Sequence, residues 1–556
     1  LGAAIVNTNI TNDTNARMAG TSSVEKASVI SADQVNVTAT SDQQVFSQSL
    51  GASVGSIAAG TSEAYASIGG STTASMDANS EITGSNGVTI RAEANGVAET
   101  DVKALSAGIG SGAYNVARSE ITTQVDASTD GAVINVSGTV AVDAQSNEQV
   151  VADVLGINAG LASVGVSQAE ALLSSDVTAE LDGTITAANV MVTAGRDHYT
   201  DSEGTTADYA AEATAIGSTG GALIGVDSTS SSTDNDGTVT TAIGNGSTLT
   251  LTGDLTMNGT TDIAQYAEAN SGSVGLIGVG AASATSESDT TVETRIGSSV
   301  VISANDVILT TDATDDNLAA ATAGSGGVIS GSAVSGETVN TSDTSVSLGS
   351  NADLTVNSLS VQAQHTAEFD SVTDSLQAAA IGASGAYAEN TVTADVDVAV
   401  ADGVSVQAQS ISLDATNVIN KNVDGENGYN VDAGAGGALN AAAASSTTAI
   451  SNTTLVTVGD GVELVSEDEN QALSLSTYNN LDVTDLVKLD SGGAISVALA
   501  ESEIINDVNV GEVRIGASTL TAAGDIEVLS MTDATVEAHA NAKTYGLSGY
   551  AQGDST

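Results

Sequence analysis

Several residue types that usually build a globular core are missing or scarce in this sequence. There is no proline, cysteine or tryptophan, and there are only 2 phenylalanines among the 556 residues. A large aromatic core is therefore excluded. The interior is expected to be thin and built from Val, Ile, Leu and Ala, with Gly where backbones pack closely. The absence of cysteine is neutral on the redox compartment.

Basic residues are also scarce. The 11 Lys and Arg stand against 69 Asp and Glu, which gives a formal net charge of −58. Nucleic acid is excluded as a natural partner because phosphate binding requires clustered basic residues, and anionic membrane surfaces are disfavoured for the same reason. Such a charge keeps long particles soluble and apart, and it makes calcium a candidate ligand.

One short segment organises what is present. The stretch VTIRAEA at 88–94 follows the turn pair Asn86-Gly87, and its apolar and polar residues alternate as in a β-strand with one buried face. Related segments recur along the whole chain. They begin at Val35, Val88, Val140, Val190, Leu255, Val307, Leu359, Ile411, Leu473 and Ile526. Seven of the nine spacings fall between 50 and 53 residues, and the other two, 65 and 62, indicate insertions.

Each repeat has the same three parts. The signature strand leads to a Gly/Ala-rich segment such as LSAGIGSG at 105–112, and a Ser/Thr/Asn-rich strand then ends in a turn such as Asp130-Gly131. No helical periodicity is present. We therefore predict an all-β protein, a parallel right-handed β-helix (β-solenoid) that forms one array over residues 1–556 from about ten repeats of about 52 residues. The regular Val/Ile alternation argues against disorder.

Two points of architecture stay open at this level. A period of 52 residues fits either one wide coil or two coils of about 26 residues. A string of small β-sandwiches is the rival fold, but such domains need about 100 residues each, which is twice the period.

The two long spacings place insertions at about 195–250 and 417–470. The first contains the motif DNDG at 234–237, and the second contains Asn427-Gly428 and SEDEN at 466–470. Insertions in solenoid repeats usually form loops on one side of the array, so these loops are the first candidates for specific recognition.

The two ends of the sequence resemble parts of a repeat. Residues 1–34 match the back half of a repeat and 545–556 match the Gly-rich segment, and neither shows a polar cap. We expect a window from a longer array or a subunit that stacks end to end. No transmembrane segment is predicted, because the uncharged stretch 318–334 is short and weakly hydrophobic.

The residues that carry chemistry in enzymes do not form a recognisable motif. His198, His365 and His539 lie 8, 6 and 13 residues after their signature starts, so they are out of phase and are predicted to be surface residues. No G-x-S-x-G elbow is present, and the Gly-rich segments lack the Lys-Ser/Thr ending of a phosphate loop. We predict no catalytic or cofactor-binding residues.

Calcium is the one ligand for which local patterns can be named. Oxygen ligands at alternate positions followed by Gly occur at Asp234 and Asp236, and a second acidic cluster contains Asp312, Asp315 and Asp316. The final Glu of the EF-hand pattern is missing, and a solvated acidic loop is the competing interpretation.

The alternation of Gly/Ala-rich segments with a turn and the endings V-x-A and V-x-V-x-A resembles a known class. Very large bacterial surface proteins of the filamentous-haemagglutinin-like and leukotoxin-like filamentous adhesin type carry similar repeats. The resemblance is one of pattern over all 556 residues. It implies secretion, a parallel β-solenoid, a location at the cell surface or outside the cell, and a role as stalk, fibre or adhesin.

Three functions follow from these observations. The first is a non-enzymatic structural component of an extracellular fibre or surface stalk, with self-association head to tail or as part of a longer chain. The second is an adhesin whose inserted loops bind a cell-surface or matrix ligand. The third is a polysaccharide-active enzyme, which the 2% aromatic content disfavours because sugar-binding grooves usually stack aromatic rings on the sugar. No cofactor is required by the first two, and calcium is the only candidate.

Overall fold

A computed structural model of the chain describes residues 2–20, 26–30, 32–201, 203–421, 423, 425 and 428–556. These residues form an all-β structure without a helix. The strands are β1 (Gly2–Thr11), β2 (Thr14–Met18), β3 (Ala27–Ile30), β4 (Gln34–Met76), β5 (Ser80–Ser85), β6 (Gly87–Val136), β7 (Thr139–Ala187), β8 (Asn189–His198), β9 (Ala211–Ile243), β10 (Thr248–Leu251), β11 (Leu255–Val274), β12 (Ile277–Ile296), β13 (Val301–Ser303), β14 (Asp306–Leu348), β15 (Asp353–Thr355), β16 (Ser358–Val400), β17 (Ser405–Ala408), β18 (Ser410–Lys421), β19 (Val431–Val458), β20 (Glu463–Ser466), β21 (Leu473–Ile515), β22 (Thr519–Ala522) and β23 (Ile526–Ser555).

All 23 strands belong to one sheet, and the strands pair in parallel. The register of these pairs follows the sequence repeat. Val35 pairs with Val88, Val88 with Val140, Val140 with Val190, Val190 with Leu255, Leu255 with Val307, Val307 with Leu359, Leu359 with Ile411, Ile411 with Leu473, and Leu473 with Ile526. Each period therefore makes one wide coil rather than two, and the predicted parallel β-solenoid is confirmed.

The course of one coil is clearest in β14. Thr311 Oγ1 donates to Ser345 O at 3.0 Å, and Ser342 Oγ donates to Asp315 Oδ2 at 2.7 Å. In the sequence, the two residues of each pair lie at nearly equal distances before and after Val328, which is in the Gly-rich segment. β14 therefore runs outward as one arm, turns at this segment, which we call the tip, and returns as a second arm that faces the first. The short strand β15 then closes the coil at the opposite end, which we call the base.

These strand lengths fix the proportions of the array. An arm of about 20 residues is roughly 65 Å long at the rise of an extended strand. Ten coils stacked about 4.8 Å apart rise roughly 45 Å along the axis. The described array is therefore a flattened slab that is wider than it is tall.

Glycine turns connect the arms to the base. Gly131, Gly403 and Gly461 follow Asp in the predicted Asp-Gly turns, and their φ angles are 69°, 72° and 69°. These angles lie in the left-handed region that glycine adopts without steric cost. The turn residues in the sequence therefore mark the corners of the coil.

The interior is apolar at the base and polar between the arms. Leu309, Val346 and Leu354 come from the three sides of one coil and belong to a continuous Val/Ile/Leu core. Between the arms the buried residues are mainly Ala together with Ser, Thr and Asn, and the interior also holds ionisable groups. The expectation of an interior built from Val, Ile, Leu and Ala, with Gly at close contacts, does not account for the buried polar and ionisable groups in this half of the coil.

The additional residues of the long repeats lie at three places. β8 and β9 pair with adjacent parts of β7, so 199–210 is the extra segment of the first long repeat. In the second long repeat the extra residues fall at 422–430 and 467–472. The prediction that 234–237 forms a loop is wrong, because this segment is part of strand β9 and pairs with β12. Asn427 lies outside the described residues.

Candidate functional site

The first predicted calcium residues lie on an outer face of the sheet. Asp234 and Asp236 flank the buried Asn235 in β9, and they pair with Glu287 and Asp289 of the next coil. Burial raises the pKa of Asp234, and the neighbouring carboxylates, Glu287 first, raise it further. The four acidic side chains form a grid on a flat strand surface rather than a loop that closes around an ion.

The second predicted set is divided between the two faces of β14. Asp315 is buried between the arms, whereas Asp312 and Asp316 lie at outward positions of the strand. Its alternation places these groups on opposite sides of the backbone. Among the described residues there is no group of three or more His, Cys, Asp or Glu side chains arranged to hold a metal ion. The geometry gives no support to calcium binding by either set, and the question is left to experiment.

Asp315 is instead the centre of a buried cluster that crosses several coils. Its carboxylate accepts hydrogen bonds from Ser288 Oγ at 3.0 Å, Thr290 Oγ1 at 3.0 Å and Ser342 Oγ at 2.7 Å. His365 Nε2 lies 3.2 Å from Asp315 Oδ2. The carboxylate is thereby held by side chains from both arms and from both neighbouring coils.

His365 is buried, contrary to the prediction of a surface position. Its Nδ1 lies 3.2 Å from Asn417 Oδ1, whose amide nitrogen donates to Ala394 O at 3.1 Å. Both ring nitrogens thus lie within hydrogen-bond distance of oxygen atoms, one of Asn417 and one of Asp315. Burial raises the pKa of Asp315, but His365 and the hydroxyl donors outweigh this effect and hold that pKa below its usual value.

The Asp315 cluster does not have the geometry of a nucleophilic triad. Ser342 donates to the carboxylate of Asp315 rather than to the ring of His365. The ring and the carboxylate are both 0% exposed, so a substrate has no path to them. The cluster therefore connects coils, and it is not a catalytic arrangement.

A second buried cluster centres on Lys421, at the end of β18. Its Nζ forms an ion pair with Asp485, lies 3.9 Å from Asp370 and donates to Thr448 Oγ1 at 3.2 Å. Asp485 also accepts hydrogen bonds from Ser446 Oγ at 2.7 Å and Thr448 Oγ1 at 3.1 Å. The lysine thus neutralises carboxylates from the coils before and after its own.

A third cluster contains Glu148 and Arg196. Thr123 Oγ1 donates to Glu148 Oε1 at 2.7 Å, and Ser175 Oγ donates to Oε2. Arg196 Nη2 donates to Asn235 Oδ1 at 2.6 Å. Burial raises the pKa of Glu148 and lowers the pKa of Arg196, while their opposite charges act against both shifts.

A fourth cluster holds the carboxylate of Asp227 without a basic partner among the described residues. Ser271 Oγ donates to its Oδ2 and Thr219 Oγ1 to its Oδ1, both at 3.0 Å. Burial raises the pKa of Asp227 to about 6 against these hydrogen bonds. A Cβ on Gly217 would lie 2.3 Å from Asp227 Oδ2, so glycine at this position makes room for the carboxylate.

The described part of the inserted segment, 199–201 and 203–210, folds back over earlier coils. Gln44 Nε2 donates to Tyr199 Oη at 3.0 Å, and His198 Nδ1 lies 2.9 Å from Ala207 O. The backbone N–H groups of Thr205 and Glu203 donate to Asp201 and lower its pKa. Hydrogen bonds therefore hold the segment in place at its first residue and again along its length.

A groove lies between this segment and the outer face of the array. Its volume is about 450 Å³, and its lining includes Asp42, Glu93, Asn95, Asn147 and Tyr199. A tyrosine ring beside amides and carboxylates offers both a flat apolar surface and hydrogen-bonding groups. This groove is a candidate small-ligand site on the described surface.

The last coil has an uncovered side. β23 pairs with β21 on one edge, and within the described residues its other edge has no strand partner. Side chains that correspond to buried positions of earlier coils are exposed here: Ile526 is 48% exposed, Val528 51% and Val536 50%. An exposed strand edge of this length is a template for another strand.

The described residues include no helix with the length and hydrophobicity that crossing a bilayer requires. Comparison of the chain with protein-family models, curated proteins and solved structures found no match. The resemblance to filamentous surface proteins therefore stays a prediction from the repeat pattern.

Proposed function

We propose that the chain is a non-enzymatic structural component of an extracellular fibre or surface stalk. The observation that carries this proposal is the open edge of β23, beside Ile526, Val528 and Val536. Another coil placed on this edge would pair its backbone groups and bury the three side chains. Growth along the coil axis both pairs the open backbone groups and buries the exposed side chains.

The proportions of the array support axial growth. The described coils rise roughly 45 Å along an axis that is shorter than the arms, at the usual strand spacing. A fibre or stalk made of this unit needs further coils, supplied by more of the same polypeptide or by a second copy. The net charge of −58 keeps such particles dispersed in solution.

Electron microscopy of the protein purified from its native cells, without refolding, tests this function. Filaments or stalks much longer than 45 Å along the coil axis are expected. Separate slabs of that height at every concentration would overturn the proposal, because they would mean that the ends are covered.

The groove beneath 199–210 supports a second candidate function, the adhesin. A ligand with hydroxyl or amide groups would meet Asn95, Asn147 and the ring of Tyr199. Attachment of the purified chain to cells or matrix is expected to fall at least tenfold in the double variant N95A/N147A. The matched control is Asn270→Ala, which removes an outward Asn elsewhere on the array. Equal attachment by both variants would remove this function.

A further inference from the structure

The tip of the array carries a continuous apolar strip. One column of paired residues along the tip contains Ile224, Ile277, Ile329, Ile381, Leu439 and Ile495 in six successive coils. These side chains are between 39% and 55% exposed. A large aliphatic residue is thus repeated where the interior does not need it.

The strip continues beyond these six coils. Gly110 and Ala162 occupy the same column in two earlier coils, where the preceding residues, Ile109 and Leu161, are 64% and 44% exposed. Ile57 extends the column by one more coil and is 83% exposed. The nine coils from Ile57 to Ile495 make a strip roughly 40 Å long at the usual strand spacing. Monomeric proteins rarely expose an apolar patch of this extent.

The strip is also free of charge, although 14% of all residues are charged. The tip segments 269–286, 318–336, 375–388, 433–445 and 491–500 contain no Asp, Glu, Lys or Arg. Charged side chains are therefore confined to the arms and the base. In a chain of net charge −58, the tip is the face along which another copy can approach with the least repulsion.

We propose that two copies of this array pack against each other tip to tip, with their coil axes side by side. The partner is a second copy because its side chains have the same axial repeat, roughly 4.8 Å. Ridges of Ile and Leu on one strip then fit between the ridges of the other, as in a dry interface between identical sheets. The two charged bodies lie on opposite sides of this contact.

Lateral pairing of this kind is distinct from growth at the ends of the array. Pairing at the tip gives particles roughly 130 Å across with an unchanged axial height, whereas end-to-end growth increases the height alone. If the tip contact does not form, the fibre proposal is unaffected. If the array does not grow at its ends, the tip-to-tip proposal is unaffected.

Sedimentation equilibrium of the full 556-residue chain tests the proposal, with electron microscopy to show the direction of association. The wild-type chain is expected to reach twice the mass of one copy in side-by-side particles, and added salt is expected to strengthen the pairing. The triple variant I277K/I329K/I381K is expected to raise the dissociation constant at least tenfold. These three side chains are between 39% and 49% exposed, so the fold does not depend on their burial.

The control places the same charges away from the tip. The variant M191K/V301K/I308K replaces three apolar residues that are between 40% and 48% exposed on β8, β13 and β14. It changes the net charge by the same amount as the tip variant, and it is expected to pair like the wild-type chain. Equal weakening in both variants would assign the effect to net charge and overturn the proposal.

Two other results would overturn it as well. One is a single-copy mass at every concentration and salt level. The other is a wild-type chain that stays single in solution but floats with neutral phosphatidylcholine vesicles through the tip, because this would make the strip a lipid-binding surface.

Discussion

His365 Nε2 lies 3.2 Å from Asp315 Oδ2, and the two buried side chains belong to neighbouring coils 50 residues apart in sequence. Lys421 and Asp485 form a similar contact across 64 residues. A slip of one residue in the strand pairing would turn such groups outward and bring their outward neighbours inside. We infer that the buried clusters fix the register of an array whose Ala- and Ser-rich arms define it only weakly.

Loss of His365 is expected to destabilise the coils around it. His365→Ala removes the ring that faces Asp315 and leaves a buried carboxylate without this partner, which costs about 3 kcal/mol in comparable buried pairs. Hydrogen exchange in β14 and β16 measures the effect, because a repeat array need not unfold in a single step.

His539 provides the matched control for this experiment. Its ring is 59% exposed and lies 2.6 Å from Glu537 on the uncovered coil. His539→Ala is expected to leave exchange in β14 and β16 unchanged. Equal protection in His365→Ala and wild-type protein would show that the buried pair does not hold the register.

Asp227 is expected to make the array more stable in acid. Its pKa is about 6 in the folded chain against an ordinary value of 3.8, so the folded chain binds a proton more tightly than the unfolded chain does. The stabilisation is complete below pH 3.8 and is lost as the pH rises through 6. Its size is on the order of 3 kcal/mol at most, from 1.36 kcal/mol for each pKa unit.

Asp227→Asn isolates this contribution from the general effect of net charge. The melting temperature of the wild-type chain is expected to rise between pH 7 and pH 4 by more than that of the variant. Asp236→Asn, on the outer face, removes one charge and keeps the wild-type profile. Identical profiles for all three proteins would contradict the assigned role of Asp227.

The pH dependence of the stability that Asp315 contributes has the opposite sign to that of Asp227. The pKa of Asp315 is lowered in the folded chain, so its contribution to stability is lost as the pH falls.

A third prediction concerns the glycine beside Asp227. Gly217→Ala would place a Cβ 2.3 Å from Asp227 Oδ2, and overpacking of this kind typically costs 1–3 kcal/mol. The double variant G217A/D227S, measured by thermal unfolding, is expected to recover part of the loss. Gly220→Ala, with no atom within 4 Å of its added Cβ, is expected to have a small effect. A larger loss of thermal stability in Gly220→Ala than in Gly217→Ala would show that the backbone freedom of glycine, and not the space beside Asp227, determines the effect.

The repeat sequence contains most of the information about the fold. Signature segments such as Val307 and Leu359 predict the register of the pairs because each coil buries the same pattern of side chains. The width of the coil did not follow from the sequence. The Asp-Gly pairs mark the corners at the base, but no residue pattern shows that the chain folds back on itself at the Gly-rich tip near Val328.

The interior charges could have been found by counting from the signature start. Asp315 is 8 residues after Val307 and His365 is 6 residues after Leu359, and even offsets point inward like the signature residues themselves. Asp312 and Asp316 have odd offsets and point outward. The contacts between the arms could not be predicted, because they depend on which residue occupies the tip.

Removal of divalent cations is expected to leave the melting temperature unchanged at constant ionic strength. Asp315 already accepts hydrogen bonds from hydroxyls and faces His365, and Asp234 and Asp236 lie on a flat strand surface. A clear fall in melting temperature with EDTA, reversed by calcium, would contradict this expectation and restore calcium as a structural ligand.

The most direct test of the account is the mass per unit length of native filaments, measured by scanning transmission electron microscopy. One coil of about 52 residues for each 4.8 Å of rise gives about 1 kDa per Å for a single array and about 2 kDa per Å for a tip-to-tip pair. A value near 0.5 kDa per Å would mean two narrow coils in each repeat and would contradict the wide coil on which the proposals rest.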